Sequence, residues 1–395
     1  MKEQLRAEYE NYLSRYGLKP RPQLPKEVRE ASMREVVRIM YEEARSRDDP
    51  MAEHMMTLSE ERIERDLAET RHPAVISIEK AALSVEETIR TLPAFAERFH
   101  DNVFVGEFPT GSMNCETVRV EGGFLVLVNS GTLTMLQQVV TFLCRGDADN
   151  PTSSASLEAA DAIADVLANY VEHGDPFYGP KPLLGGMLSM LSSSLSRTAE
   201  KFVVAHEYGH ILAGHLAESS TQSIAIESGV GTIEVVRKNH EQEFEADDLG
   251  YRLTLGMDAY DKFDLKPIDA AGISDDASTI LGGVEQKSLI AAPFVPLTIE
   301  VILNQFNDAA HVLGNNLASR DTHPRAIERI KRLMDFRPGK NPFYTGFINI
   351  PFMLLPSVER IVTVVTDRTL RKPDAGSSAD GLFEREKAHR RRIES

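Results

Sequence analysis

The stretch "VVAHEYGHIL", residues 203–212, places two histidines and a glutamate in the order HExxH within apolar sequence. His206 and His210 are four residues apart, and on an α-helix this spacing puts both imidazoles on one face, where they can bind one tetrahedral cation. The apolar residues on both sides predict that this helix is buried. The same residues also fit a buried helix that happens to carry two histidines, so a third ligand has to distinguish the two interpretations.

Glu207 follows the first histidine and lies at the edge of the face that carries both imidazoles. It is displaced too far around the helix to be a comfortable third ligand, but it is well placed to contact a water bound to the metal. Zinc lowers the pKa of such a water towards neutrality, and a neighbouring carboxylate can take its proton and return it later. The sequence therefore predicts that Glu207 is a general base.

His215 is the nearest candidate for the third ligand. It follows His210 by five residues, a spacing that turns it away from the ligand face of the helix. The longer pattern HExxHxxGxxH would need a histidine where this chain has Leu216. We therefore expect His215 to be a packing residue or a partner of a ligand.

A second stretch, "NHEQEFEADDLGYRL" at residues 239–253, offers a better candidate. Asn239 can cap a helix that carries Glu243 and Asp247 on one face. Glu243 would then be the third metal ligand, and Asp247, one turn later, could accept the free N–H of a ligating imidazole. The alternative is an acidic face exposed to solvent, and Glu245 is a candidate for such a face.

These segments together resemble the gluzincin metallopeptidases, most closely the family of HtpX, BepA and the CAAX prenyl proteases. The resemblance rests on HExxH followed by a helix of the form ExxAD, with Gly250 beyond it. Three further stretches agree. "HEYGHILAGHLAE" carries the family's extra histidine at His215, "EGGFLVLVNSGTLTML" is similar to its hairpin and following helix, and "SRDTHPRAIERIKRL" is similar to its THPxxxER signature. The similar region covers about residues 100–335.

The resemblance implies a zinc-dependent metalloendopeptidase with one zinc ion per chain and a protein or peptide substrate. An extended substrate would add to the edge of a sheet, which we expect at residues 112–120. The implied site consists of the ligands His206, His210 and Glu243, the base Glu207, the transition-state donor His323, and the supporting residues Asp247 and Arg329.

Two other functions fit parts of the sequence. The short stretch between His210 and Glu243 also resembles the ImmA/IrrE-type peptidases, which cleave regulators of transcription and lack an element like "THPRAIERI". The other alternative is a regulatory protein that binds zinc without catalysis. Glu207 argues against it, because a structural zinc site needs no base.

Composition excludes several other classes of protein. The 395 residues include 44 basic and 60 acidic side chains, a net charge of −16, and we expect no nucleic acid partner. The two cysteines, Cys115 and Cys144, are too few for a Cys-based zinc site. No run reaches the roughly 18 apolar residues that cross a bilayer, and the N-terminal residues carry no apolar signal segment. We therefore expect a cytoplasmic protein without a membrane span.

The predicted fold class is α+β, a zincin-like metallopeptidase domain with N-terminal helices, a small mixed β-sheet and an active-site helix pair. Runs rich in β-branched and aromatic residues, "NVFVGEF", "ETVRVEGG" and "FLVLVNSG", predict the strands. The helix pair is predicted at residues 197–218 and 239–255.

Two helices are predicted within the first hundred residues. One is expected to start at Pro25 and to bury Val28, Val36, Ile39 and Met40 on one face. The other is expected to start at Ser84, where "SVEE" has the form of a capping box.

Changes in composition divide the chain into four parts. Gly, Pro and Ser residues mark an insertion with long loops around a small helix at Ala159–Tyr170. This insertion is either a lid or a surface excursion without a function. The bounds are 1–100 for the N-terminal helical region, 101–335 for the metallopeptidase domain with the insertion at 146–196, 336–371 for a C-terminal packing segment, and 372–395 for a polar tail expected to be mobile.

Overall fold

Helices make up most of the described chain and one small three-stranded sheet lies among them, so the fold class is α+β, as predicted. A computed structural model of the protein describes residues 2–19, 25–46, 52–68, 73–99, 102–146, 153–179, 183–216, 221–225, 232–236, 239–257, 292–301, 303 and 326–335. The N-terminal helices are α1 (Lys2–Arg15), α2 (Lys26–Ser46), α3 (Ala52–Ala68), α4 (Pro73–Thr91) and α5 (Pro93–Ala96).

The strands and the remaining helices alternate in the central part of the chain. The strands are β1 (Val103–Phe108), β2 (Cys115–Val120), β3 (Gly123–Asn129), β4 (Thr221–Ala225) and β5 (Thr232–Val236). The helices are α6 (Ser130–Arg145), α7 (Ser154–His173), a short 3-10 helix (Pro176–Tyr178), α8 (Gly186–Leu212), α9 (His240–Leu255) and α10 (Ala326–Asp335). Residues 294–301 are also helical.

The three-stranded sheet is mixed, as predicted. Its strand order is β1-β3-β2, with β1 parallel and β2 antiparallel to β3. The hairpin between β2 and β3 turns through Gly122, whose φ of 86° favours glycine. In the described part of the chain, the outer edge of β2 pairs with no strand, and β2 lies within residues 112–120, where the sequence predicts an edge.

Helices cover both faces of β3. Leu125 and Leu127 lie in one apolar cluster with Leu5 of α1, whereas the alternate residues Val126 and Val128 lie in a cluster with α4 and α8. A strand presents successive side chains to opposite faces, so a shift of one residue would exchange the two sets. Because both faces of β3 are buried, its register is fixed, and with it the position of the sheet relative to α8.

The long helix α8 contributes to three of the apolar clusters. Leu195 packs with α6 and α7, and Tyr208 packs with α4 and the sheet. Phe202 packs with Tyr251 of α9 and with Phe294. The helix that carries HExxH is thus buried, as its apolar flanks predict.

The backbones of helices α8 and α9 approach each other closely, because a glycine lies on each side of the contact. A Cβ atom at Gly209 would lie 2.8 Å from the carbonyl oxygen of Ala246, and one at Gly250 would lie 2.9 Å from the backbone N and Cα of His206. Side chains at these positions would force the backbones apart. The close contact between the two helices therefore depends on glycine at both positions.

Part of the segment predicted as an insertion with long loops is helical. Helix α7 buries Ile163 and Val166 in the cluster that it shares with α6, and residues 186–196 form the first part of α8. The small helix expected around Ala159–Tyr170 is confirmed and extends over Ser154–His173, where its apolar face packs on α6. The expectation of loops is wrong for residues 186–196, which are helical. The assignment of 146–196 as an insertion or lid and the other domain bounds stay predictions, and residues 336–395 lie outside the described ranges.

Two predictions for the N-terminal helices are wrong. Helix α4 starts at Pro73, so Ser84 lies inside it, because the apolar face that includes Ile78, Val85 and Ile89 is continuous across the capping-box pattern. Helix α2 does start just after Pro25, but Val28, Val36 and Ile39 are 47%, 38% and 36% exposed. The only residue that α2 buries is Ala44, close to Gly185 at the start of α8.

No helix within the described ranges combines the length and the apolar content that crossing a bilayer requires.

We expect Gly250→Ala to destabilise the protein, since overpacking at a tight contact typically costs roughly 1–3 kcal/mol. Thermal unfolding followed by circular dichroism measures the effect. Gly146→Ala is the matched control, because a Cβ there lies no closer than 3.4 Å to another atom. Equal unfolding temperatures for the two variants would contradict the importance of the crossing.

Candidate metal centre

The three predicted ligands meet at the crossing of α8 and α9. The Nε2 atoms of His206 and His210 are 3.1 Å apart. The carboxylate oxygens of Glu243 lie 3.4 Å from Nε2 of His206 and 3.5 Å from Nε2 of His210. All three residues are buried, and among the residues that the structure describes they form the one group of this kind that could hold a metal ion.

The distances between these atoms fit a tetrahedral ion. Metal–ligand bonds of about 2.0–2.2 Å place tetrahedral ligand atoms roughly 3.3–3.6 Å from one another. The observed separations of 3.1, 3.4 and 3.5 Å are close to that range. An ion could therefore be accommodated with small movements of the side chains. Three protein ligands also leave a fourth position open.

Local sequence explains why Glu243 and Asp247 lie where they do. The side chain of Asn239 accepts a hydrogen bond of 2.9 Å from the backbone N–H of Gln242, and the Gln242 side chain accepts one of 2.9 Å from the backbone N–H of Asn239. This capping box starts α9 at His240 and confirms the predicted cap. Glu243 then lies in the first turn, and Asp247 lies one turn later, beside α8.

Asp247, together with Arg329, fixes the orientation of His206 through the Nδ1 atom of its imidazole. Oδ1 of Asp247 lies 3.0 Å from Nδ1 of His206. Arg329 donates two hydrogen bonds of 2.7 Å to the same carboxylate, and its Nη1 donates another of 3.0 Å to Glu300. An imidazole that donates Nδ1–H to a carboxylate keeps its Nε2 lone pair for a metal. The structure thus brings both predicted supporting residues to the site.

Charges in this cluster outweigh the effect of burial. Burial disfavours the ionised carboxylate of Asp247, but Arg329 lowers its pKa below the ordinary value. Burial also disfavours the imidazolium form of His206, but the hydrogen bonds and negative charges of Asp247 and Glu243 raise its pKa to about 9. The site therefore attracts a cation, and a metal ion must displace a proton to bind. Metal affinity should fall as the pH drops below about 9.

His210 has a different outer partner. Its Nδ1 lies 2.9 Å from Nδ1 of His215, and Nε2 of His215 lies 3.1 Å from the Glu245 carboxylate. If Nε2 of His210 binds a metal, its Nδ1–H donates to His215, and Nε2–H of His215 donates to Glu245. His215 is thus a partner of a ligand, one of the two roles expected. Glu245, a candidate for the solvated face, has a side chain that is 55% exposed but contacts His215.

Glu207 is buried and faces the sheet. Its Oε2 accepts a hydrogen bond of 2.7 Å from the hydroxyl of Thr117 in β2. Sequence reasoning missed Thr117, because a threonine in a strand carries no functional signal of its own. The contact shows that the carboxylate of Glu207, the predicted base, lies between α8 and β2.

One predicted site residue, His323, lies outside the described residues. Its assignment as a transition-state donor stays a prediction. Arg329, six residues later in the same signature, is described and lies at the site.

Comparisons of this chain with models of known protein families, with curated proteins and with solved structures find no match. The chemistry of the site is therefore inferred from its own residues.

We expect Glu243→Ala to abolish most metal retention, because it removes one of three ligands. His215→Ala should weaken binding less, by about 10- to 100-fold, as loss of an outer partner does. Chelator competition followed by elemental analysis measures both. His240→Ala, which removes an exposed histidine from the same region, is the control and should retain the metal. Equal losses in the Glu243 and His240 variants would mean that the ligand set is wrong.

Proposed function

We propose that the protein is a zinc-dependent metalloendopeptidase with a zincin-like catalytic domain, as its resemblance to the gluzincins implies. The observation that carries the proposal is the buried group of His206, His210 and Glu243. Glu207 follows His206 directly on α8. Two imidazoles, one carboxylate and an open fourth position are typical of catalytic zinc sites. A purely structural zinc site would have four protein ligands and would not need a buried glutamate beside them.

The residues of the site have distinct roles in the proposed reaction. Zinc, when bound, would polarise the scissile carbonyl and make the attacking water more acidic. Glu207 takes the proton of this water and passes it to the departing amine. Asp247 and Arg329 keep His206 in the tautomer that binds a metal, and the resemblance assigns His323 as a hydrogen-bond donor to the developing oxyanion.

The edge of β2 favours a polypeptide as the substrate. An extended peptide can pair with an unpaired strand edge through its own backbone, which a small molecule cannot do. Thr117 links β2 directly to Glu207, so a peptide on this edge would lie near the proposed base. This placement supports a peptidase over a zinc hydrolase that acts on other compounds.

A peptidase that cleaves a transcriptional regulator, as the ImmA/IrrE-type enzymes do, remains the second candidate. It would use the same ligands and base, and the short connection from α8 to α9 favours it. The two candidates differ in substrate. Proteomic comparison of cells that carry the wild type and the Glu207→Gln variant would identify the proteins whose fragments depend on Glu207.

We expect Glu207→Gln to retain metal and fold but to lose about 100- to 10,000-fold in turnover, because the amide cannot accept a proton. Cleavage of an unfolded protein, together with metal content, measures the effect. Glu241→Gln is the matched control, since Glu241 is exposed in the first turn of α9 and should not affect turnover. Undiminished cleavage by the Glu207 variant would exclude the proposed mechanism.

A further inference from the structure

Thr117 is the one buried residue of the six in β2. It pairs with Val126 of β3 in the antiparallel ladder and is 1% exposed. Its hydroxyl is directed away from the sheet to the Glu207 carboxylate, at 2.7 Å from Oε2. Valine has nearly the same shape as threonine and is common in strands. The hydroxyl is therefore the part of this side chain that calls for an explanation.

The hydrogen bond has the features of a strong orienting contact. Both residues are buried, and a hydrogen bond to a carboxylate is stronger than one between neutral groups. Threonine is branched at Cβ, so its side chain has few rotamers once the backbone is fixed. The sheet fixes that backbone through the pairing with β3. The position of the hydroxyl, and with it the orientation of the Glu207 carboxylate, is thus set by the sheet.

We propose that Thr117 is a positioning residue that aligns Glu207 for proton transfer and couples this alignment to occupation of the β2 edge by the substrate. The inference rests on the proposed peptidase function. The backbone that carries Thr117 belongs to β2, the last strand in the order β1-β3-β2 of the described sheet. A peptide that pairs with this edge immobilises β2 and thereby the hydroxyl.

Such coupling predicts a specific kinetic pattern. Contacts far from the scissile bond then raise kcat and do not merely lower KM, because part of their binding energy aligns the base. A peptide long enough to pair along β2 should be turned over faster than a short one around the same bond. The difference should depend on the Thr117 hydroxyl.

The test compares Thr117→Val with Thr117→Ser in the full-length, metal-loaded protein. Peptides of about four and about ten residues around one mapped cleavage site serve as substrates. Loss of a hydrogen bond to a charged group predicts that Thr117→Val lowers kcat on the long peptide by about 10- to 100-fold, with KM nearly unchanged. Thr117→Ser keeps the hydroxyl and should stay within about threefold of wild type. Metal content should be the same in all three proteins.

If Thr117→Val lowers kcat equally on the long and the short peptide, the coupling to the β2 edge is wrong. If wild type is active and the Val variant is as active as the Ser variant, the positioning role is wrong and the peptidase function stands. If metal-loaded wild type cleaves neither peptide nor unfolded protein, the proposed function itself is wrong and the role of Thr117 in it fails as well. If Thr117→Val does not fold, Thr117→Ala against Thr117→Ser gives the same comparison of a side chain without and with the hydroxyl. Equal turnover in that pair would again overturn the inference.

Discussion

The close crossing of α8 and α9 is the constraint on which the site depends. The candidate ligands come from two helices, and their N and O atoms must lie close enough together to bind the same ion. Gly209 and Gly250 make this possible, because each removes a side chain from the point where one backbone meets the other. The two glycines thus act on geometry, whereas the histidines and the glutamate supply the atoms that could bind a metal ion. Without the short crossing, the three ligand residues would be correct in type but too far apart.

Around this crossing, the polar groups are arranged so that each buried charge has a partner. Arg329 lies between Asp247 and Glu300 and donates hydrogen bonds to both carboxylates. Unpaired buried charges would cost several kcal/mol each. The two ligand histidines differ in this respect: His206 is supported by a wholly buried charged residue, and His210 is supported through His215 by the half-exposed Glu245. The structure therefore gives the two imidazoles unequal environments.

Local patterns in the sequence predicted the ligand helices well, whereas contacts between distant segments had to come from the structure. Three correct predictions depend on single helices. They are a helix through the HExxH residues, the Asn239 cap, and a helix that carries both Glu243 and Asp247. Thr117 could not be predicted, because its role depends on how the sheet docks against α8. Val28 was predicted to be buried but is exposed. Apolar periodicity identifies one face of a helix, but it does not show whether another element packs against that face.

The distances along the chain between the parts of the site have a consequence for biosynthesis. Thr117 precedes Glu207 by 90 residues, and Arg329 follows Asp247 by 82. A nascent chain that ends before Arg329 already contains His206, His210 and Glu243 but lacks the cation that neutralises Asp247. Translation therefore delivers the ligands first and the group that secures His206 later. The centre reaches its final form only after the segment with α10 has left the ribosome, so incomplete chains carry an unfinished site.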